Sequence, residues 1–177
     1  MRCFLDLHLI DRFELRAILD DAAEIKALRA DFSSGQADIQ KTLKGKIVGL
    51  LFEKPSTRTR VSFEVGIHQL GGPALVLNGS EMHLGSGETA SDTARVLSKY
   101  LDMIMIRTYN ENTLVEFAKN STIPVINGLT DRSHPCQIMA DILTFEEMRG
   151  SIAGKTVVWI GPGNNVCNSY IHAAIKF

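Results

Sequence analysis

Apolar positions along the chain fall into two kinds of run. From Asp11 to about Leu43 they recur at steps of three and four, through Leu15, Ile18, Leu19, Ala22, Ile25 and Leu28, the spacing of one helical face. Asp11 and Glu14 resemble a capping box at its start. Ser33, Ser34 and Gly35 predict a break, with a shorter helix leading on to Leu43. Further along, the apolar runs are short, continuous and rich in branched residues: 46–52, 74–77, 103–107, 124–127 and 156–160. Each reads as a buried strand of a parallel sheet. Helical patterns separate most of them, including Val61, Glu64, Val65, His68 and Gln69 after the first, Ser91 to Tyr100, Ile138 to Arg149, and a helix beginning near Asn168. This alternation predicts an α/β fold, a parallel sheet with helices on both faces.

In such folds ligands bind beyond the carboxyl ends of the strands, and the informative residues follow them. After the first strand, Ser56, Thr57, Arg58, Thr59 and Arg60 sit at a strand-to-helix corner. Unpaired N–H groups and the helix dipole favour an anion there. The hydroxyls add donors and the arginines add planar forks matched to phosphate oxygens. The plainer alternative makes Ser56 an ordinary N-cap and the arginines a solvated helix face. The glycine pattern of a nucleotide-binding loop is missing. After the second strand, residues 78–88 form a polar stretch with three glycines, read as a surface loop in which His83 is either a ligand contact or incidental. Arg107 closes the third strand, either at the surface or held by an anion. After the fourth, Pro135 suits a first helical turn and brings His134 and Gln137 to another helix start. A histidine there is biased toward its neutral form and suited to donate to a carbonyl, unless it only caps or packs. Cys136 reads as a packing residue, because no base and orienting group accompany it.

Composition changes this picture little. The 177 residues are 45% apolar and suffice for one domain or somewhat more, and the formal net charge of −1 gives no electrostatic case for nucleic acid or a membrane surface. Cys3, Cys136 and Cys167 are odd in number and widely spaced, which favours a reducing cytoplasm over a disulfide framework or a zinc pattern. No leader and no membrane-length apolar run is evident. Residues 150–155 look like a boundary, dividing a first domain, 1–150, from the opening strand and helix of a second, 151–177. Residues 156–165 are not a dinucleotide fingerprint, since the third glycine is absent. One strand and one helix cannot bury their own apolar faces, so the second domain reads as truncated.

The ordered set of Ser56 to Arg60, Arg107 closing its strand, and His134, Pro135, Cys136 and Gln137 resembles the aspartate and ornithine carbamoyltransferase family. Cys136 within its motif, with Asn164 and Asn165 after the fifth strand, favours the ornithine branch. The resemblance implies carbamoyl transfer from carbamoyl phosphate to the δ-amine of L-ornithine, giving citrulline and phosphate, in arginine biosynthesis or the urea cycle. It implies that Ser56, Thr57, Arg58 and Thr59 hold the phosphate and that Arg107 bridges phosphate and carbamoyl oxygen. His134, with Thr59, would polarise that oxygen, and Gln137 would hold the carbamoyl amide. His83 would reach a neighbouring subunit's site in a homotrimer, Asn165 would contact the ornithine α-carboxylate, and Arg60 would be structural. Neither metal nor organic cofactor is implied. The family's second domain supplies further ornithine-binding segments that these residues lack, so the chain is expected to be an incomplete enzyme. Aspartate as acceptor and a non-catalytic scaffold are the alternatives.

Overall fold

The structure, a computed structural model, describes residues 3–79 and 87–177. Four strands, β1 (Val48–Phe52), β2 (Ala74–Asn78), β3 (Met103–Arg107) and β4 (Val125–Leu129), form one sheet in the order β2-β1-β3-β4. All neighbours are parallel, and Phe52, Asn78 and Arg107 end level with one another. Among the described residues six α-helices accompany them: α1 (Arg12–Leu28), α2 (Thr57–Gln69), α3 (Ala90–Leu97), α4 (Glu111–Asn120), α5 (Pro135–Arg149) and α6 (Asn165–Ala174).

The continuous apolar strands divide their side chains between two layers. Leu51, Ile104, Ile106 and Val125 pack with Ala94 of α3 and with Leu114 and Phe117 of α4. Their neighbours Val48, Leu50, Phe52 and Met105 pack with Ile67 of α2. A period of two between faces buried on both sides is what near-unbroken apolar strands produce. A third cluster joins Leu15 and Leu19 of α1, Ile138 and Ile142 of α5, and Ala173 of α6.

The helix after β1 covers one face and the helix leading into β3 covers the other, although β1 and β3 are neighbours. The strand order therefore reverses between β1 and β3. The crevice beyond their carboxyl ends is the binding position that this topology creates. Pairing of β3 with β4 slips there: Ile106 faces Asn127 and Arg107 faces Leu129, leaving Gly128 as the extra residue. A Cβ on Gly128 would lie 2.2 Å from Met105 Sδ, so any larger residue in this bulge has to displace the buried Met105 side chain. Bulges re-aim the side chains beside them, and Arg107 is the one beside this bulge.

Two expected elements do not form. Residues 36–43 adopt bends and turns in place of a second short helix; Asp38 N–H and Leu43 N–H donate to the Gln69 and Leu70 carbonyls at the end of α2, which commits them outside a helical ladder. Residues 156–160 make no strand, and Val158 and Ile160 stand 73% and 93% exposed. A strand requires a partner ladder, and no described segment lies alongside this one to provide it. The last helix starts at Asn165, earlier than its apolar spacing suggests, because the Asn164 carboxamide caps Val166 and Cys167 N–H. The remaining bounds differ by a few residues; α3 begins at Ala90 because Thr89 caps Asp92 N–H, and α5 ends at Gly150, whose φ of +75° suits glycine.

Candidate active site

Ser56 leaves β1 in extended conformation and its hydroxyl accepts from Thr59 N–H at 3.2 Å. The N-cap alternative is thus correct as local geometry. It does not compete with anion binding, because capping one donor leaves the other first-turn N–H groups of α2 facing outward. Thr57 and Arg58 are exposed on that turn and Thr59 is half-buried. Arg60 pairs with Glu64 one turn on, at 3.4 Å on a solvated face, which fits a structural part.

Arg107 reaches the same turn from β3. Its Nη1 donates to Thr59 Oγ1 at 3.3 Å, while its buried Nε has no partner. Among the described residues no carboxylate pairs with it. Burial holds its pKa below the ordinary arginine value, the mark of a cation lacking a counter-charge. His134, at the N-cap of α5, lies near enough to Arg107 to feel its charge. Its backbone N–H donates to Ser169 Oγ of α6 at 2.8 Å, and its ring Nδ1 is buried with no partner. Burial first, then the charge of Arg107, lowers its pKa to about 4, against a smaller opposing pull from Asp141. The ring is neutral at pH 7.

The other expected residues are placed less uniformly. Gln137 lies on the first turn of α5, exposed, with its amide donating to Asp141 at 2.8 Å. Asn165 donates from Nδ2 to the Thr130 carbonyl at 2.7 Å, tying α6 to the segment after β4. His83 lies outside the described residues. Cys136 donates to the Asn127 carbonyl at 3.3 Å and burial pushes its thiol up to about 12, as expected of a packing residue.

Sequence reasoning passed over Glu53. It follows β1 directly, accepts a hydrogen bond from the Thr108 hydroxyl and donates its backbone N–H to the Arg107 carbonyl at 2.9 Å. It also lines a cavity of about 660 Å³ with Ser56, Thr57, Arg60, Glu64 and Asn78. The signal was available, since Glu53 occupies the first position beyond a strand end. Lys54, next in line, pairs with Asp131 at 3.1 Å and lies 4.9 Å from the Tyr109 ring centre, joining the loops after β1, β3 and β4.

Residues 2–147 match the family model described as aspartate/ornithine carbamoyltransferase, carbamoyl-P binding domain. The chain belongs to this family. Ornithine carbamoyltransferase of Roseobacter denitrificans is 62% identical over all 177 residues, and that of Ruegeria pomeroyi 59%. The chain spans 58% of the length of either relative. Among solved structures, ornithine carbamoyltransferase from Pyrococcus furiosus superposes with a TM-score of 0.91 at 46% identity, over 98% of this chain and 54% of that one. The enzyme from Burkholderia thailandensis does so at 0.91 and 40%, over 99% and 59%. The fold of a carbamoyltransferase carbamoyl-phosphate domain is therefore the fold of this chain, with its crevice between β1 and β3. Among the described residues no helix is long and apolar enough to cross a membrane.

Proposed function

We propose that the chain binds carbamoyl phosphate in the crevice beyond β1 and β3 and furnishes this half of an ornithine carbamoyltransferase. The observation that carries the reading is Arg107: a half-buried guanidinium touching Thr59 at the mouth of α2, with its buried Nε unpartnered and, among the described residues, no carboxylate to balance it. A phosphate oxygen would supply both the missing acceptor and the missing charge. Ser56, Thr57, Arg58 and Thr59 surround that phosphate. His134, neutral and with one ring nitrogen unpartnered, donates to the carbamoyl oxygen without repelling Arg107. Gln137 exchanges its bond to Asp141 for the carbamoyl amide.

In the reaction the ornithine δ-amine forms the new C–N bond, the C–O bond to phosphate breaks, and the amine gives up a proton. Negative charge gathers on the carbonyl oxygen and then on the leaving phosphate. Donors held in place before the charge develops lower that barrier most. Asn165 donates from its amide, released from the Thr130 carbonyl, to the ornithine α-carboxylate. Residues 1–150 form the carbamoyl-phosphate domain and 151–177 open the ornithine-binding one. His83 enters the site of a neighbouring subunit in a cytoplasmic homotrimer, a setting that suits three free thiols. The product places the reaction in arginine metabolism.

Calorimetric titration of the chain with carbamoyl phosphate, and product assays with ornithine and with aspartate, test this reading. Saturable one-to-one binding of carbamoyl phosphate, with little citrulline formed by these 177 residues alone, is expected. Absence of binding at millimolar ligand, or formation of carbamoyl aspartate, overturns it.

A further inference from the structure

Where the first residues of the chain meet α6, Asp6, His8 and His172 bring one carboxylate and two imidazoles together, their ligating atoms all within 4.8 Å of one another. Asp6 is 1% exposed. Its Oδ1 accepts from Leu7 N–H at 2.7 Å and faces His172 Nδ1 at 2.9 Å. Its Oδ2 is buried with no hydrogen bond and points toward His8 Nδ1 at 3.4 Å. The two rings lie 4.5 Å apart, tilted by 57°. Carbamoyl transfer uses none of these residues.

A buried carboxylate oxygen without a donor is costly, and a cation removes the cost. The donor set, two imidazoles and a carboxylate, is one that zinc and its divalent neighbours accept. Zinc–nitrogen bonds of about 2.0–2.1 Å in tetrahedral array place donors about 3.3 Å apart; the donor atoms already lie within 4.8 Å of one another, and because His172 faces Oδ1 and His8 faces Oδ2 the carboxylate turns to present one oxygen to the ion. We infer that Asp6, His8 and His172 form a site for a divalent transition-metal ion, zinc by preference, that clasps the chain's start to α6. Each imidazole offers its Nδ1 lone pair to the ion and carries its proton on Nε2. Water fills the fourth position.

The clasp closes a seam that Lys176 Nζ already draws together by donating to the Ile10 carbonyl at 2.6 Å. Along α6 the same helix holds His134 through Ser169 and Thr130 through Asn165. An occupied clasp therefore stiffens the support of the crevice from behind. The residues lie at opposite ends of the chain, which is why spacing in the sequence gives no metal pattern.

Titration of the metal-free 177-residue chain with zinc, followed by calorimetry and by competition with a chelating dye, is expected to show one site of micromolar or tighter affinity. His8→Ala and His172→Gln, both partly exposed positions, should each weaken it about tenfold or more, a loss on the scale of removing even a supporting partner from a metal site. Zinc should raise the thermal midpoint of the parent and of neither variant. Cobalt in place of zinc should give a spectrum without a thiolate charge-transfer band, separating this site from Cys3, Cys136 and Cys167. Absence of one-to-one binding, binding that survives both substitutions together, or a thiolate band overturns the inference.

Discussion

The Arg107 guanidinium donates to the Thr59 hydroxyl over 3.3 Å while its own Nε is buried and unpartnered. That single relationship joins the end of β3 to the first turn of α2, and it leaves a charge in the crevice that folding alone does not neutralise. A half-buried cation without a counter-charge detracts from stability, and the phosphate proposed to bind there would offset that cost.

Replacing Arg107 with Met separates the two roles. Phosphate affinity measured by calorimetry should fall at least about tenfold, since hydrogen bonds to charged groups contribute about 1.5–3 kcal/mol. The urea midpoint should stay level or rise, because the substitution removes an uncompensated charge. Unchanged phosphate affinity would remove Arg107 from the site.

Ser56→Ala deletes the cap on Thr59 N–H. The expected loss is about 1 kcal/mol, or roughly 2–4 °C in thermal midpoint for a domain of this size. Ser56→Asp should restore most of the cap while placing a negative charge where phosphate is proposed to sit. Calorimetry on the Asp variant should then show phosphate binding lost although stability has returned. Retained binding would show that the cradle lies elsewhere.

The pKa of His134 is about 4 in the folded chain against an ordinary 6.5. Between these values the unfolded chain takes up a proton that the folded chain refuses, so this group lowers stability as pH falls from 6.5 toward 4. Above 6.5 it has no effect, and below 4 no further one. Urea unfolding across pH 4 to 7 should show a smaller slope in His134→Asn than in the parent. NMR titration of the His134 ring should have its midpoint near 4, and a midpoint above 6 would contradict the burial described.

Ser169→Ala removes the acceptor of the His134 N–H. A buried donor left unpaired costs about 1–3 kcal/mol, read as a lowered urea midpoint. His134 should also lose its fixed position, so carbamoyl phosphate affinity should weaken with no contact between Ser169 and ligand. If stability falls and affinity does not, α6 supports the fold and not the crevice.

Sequence by itself determined four strands of the sheet and the helix start after the first of them. Short branched runs alternating with helical patterns favour parallel strands buried on both faces, and Ser56 after such a run favours a helix start. Ser56 and Pro135 took the helix-start positions their chemistry favours. Tertiary structure decided everything that depends on a partner distant in the chain. Residues 156–160 have strand composition, but pairing is a property of two segments, and none described lies beside them. Gln137 and Asn165 have their residue types written in the sequence, yet their bonds to Asp141 and Thr130 follow from packing. The bulge at Gly128, the link from Glu53 to Thr108, and the meeting of Asp6 with His172 depend in the same way on register and crossing. Local pattern sets most of the elements; only their assembly sets which buried side-chain atoms remain unsatisfied, and of the four described, on Asp6, Arg107, Asn127 and His134, those of Arg107, His134 and Asp6 lie where ligands are proposed.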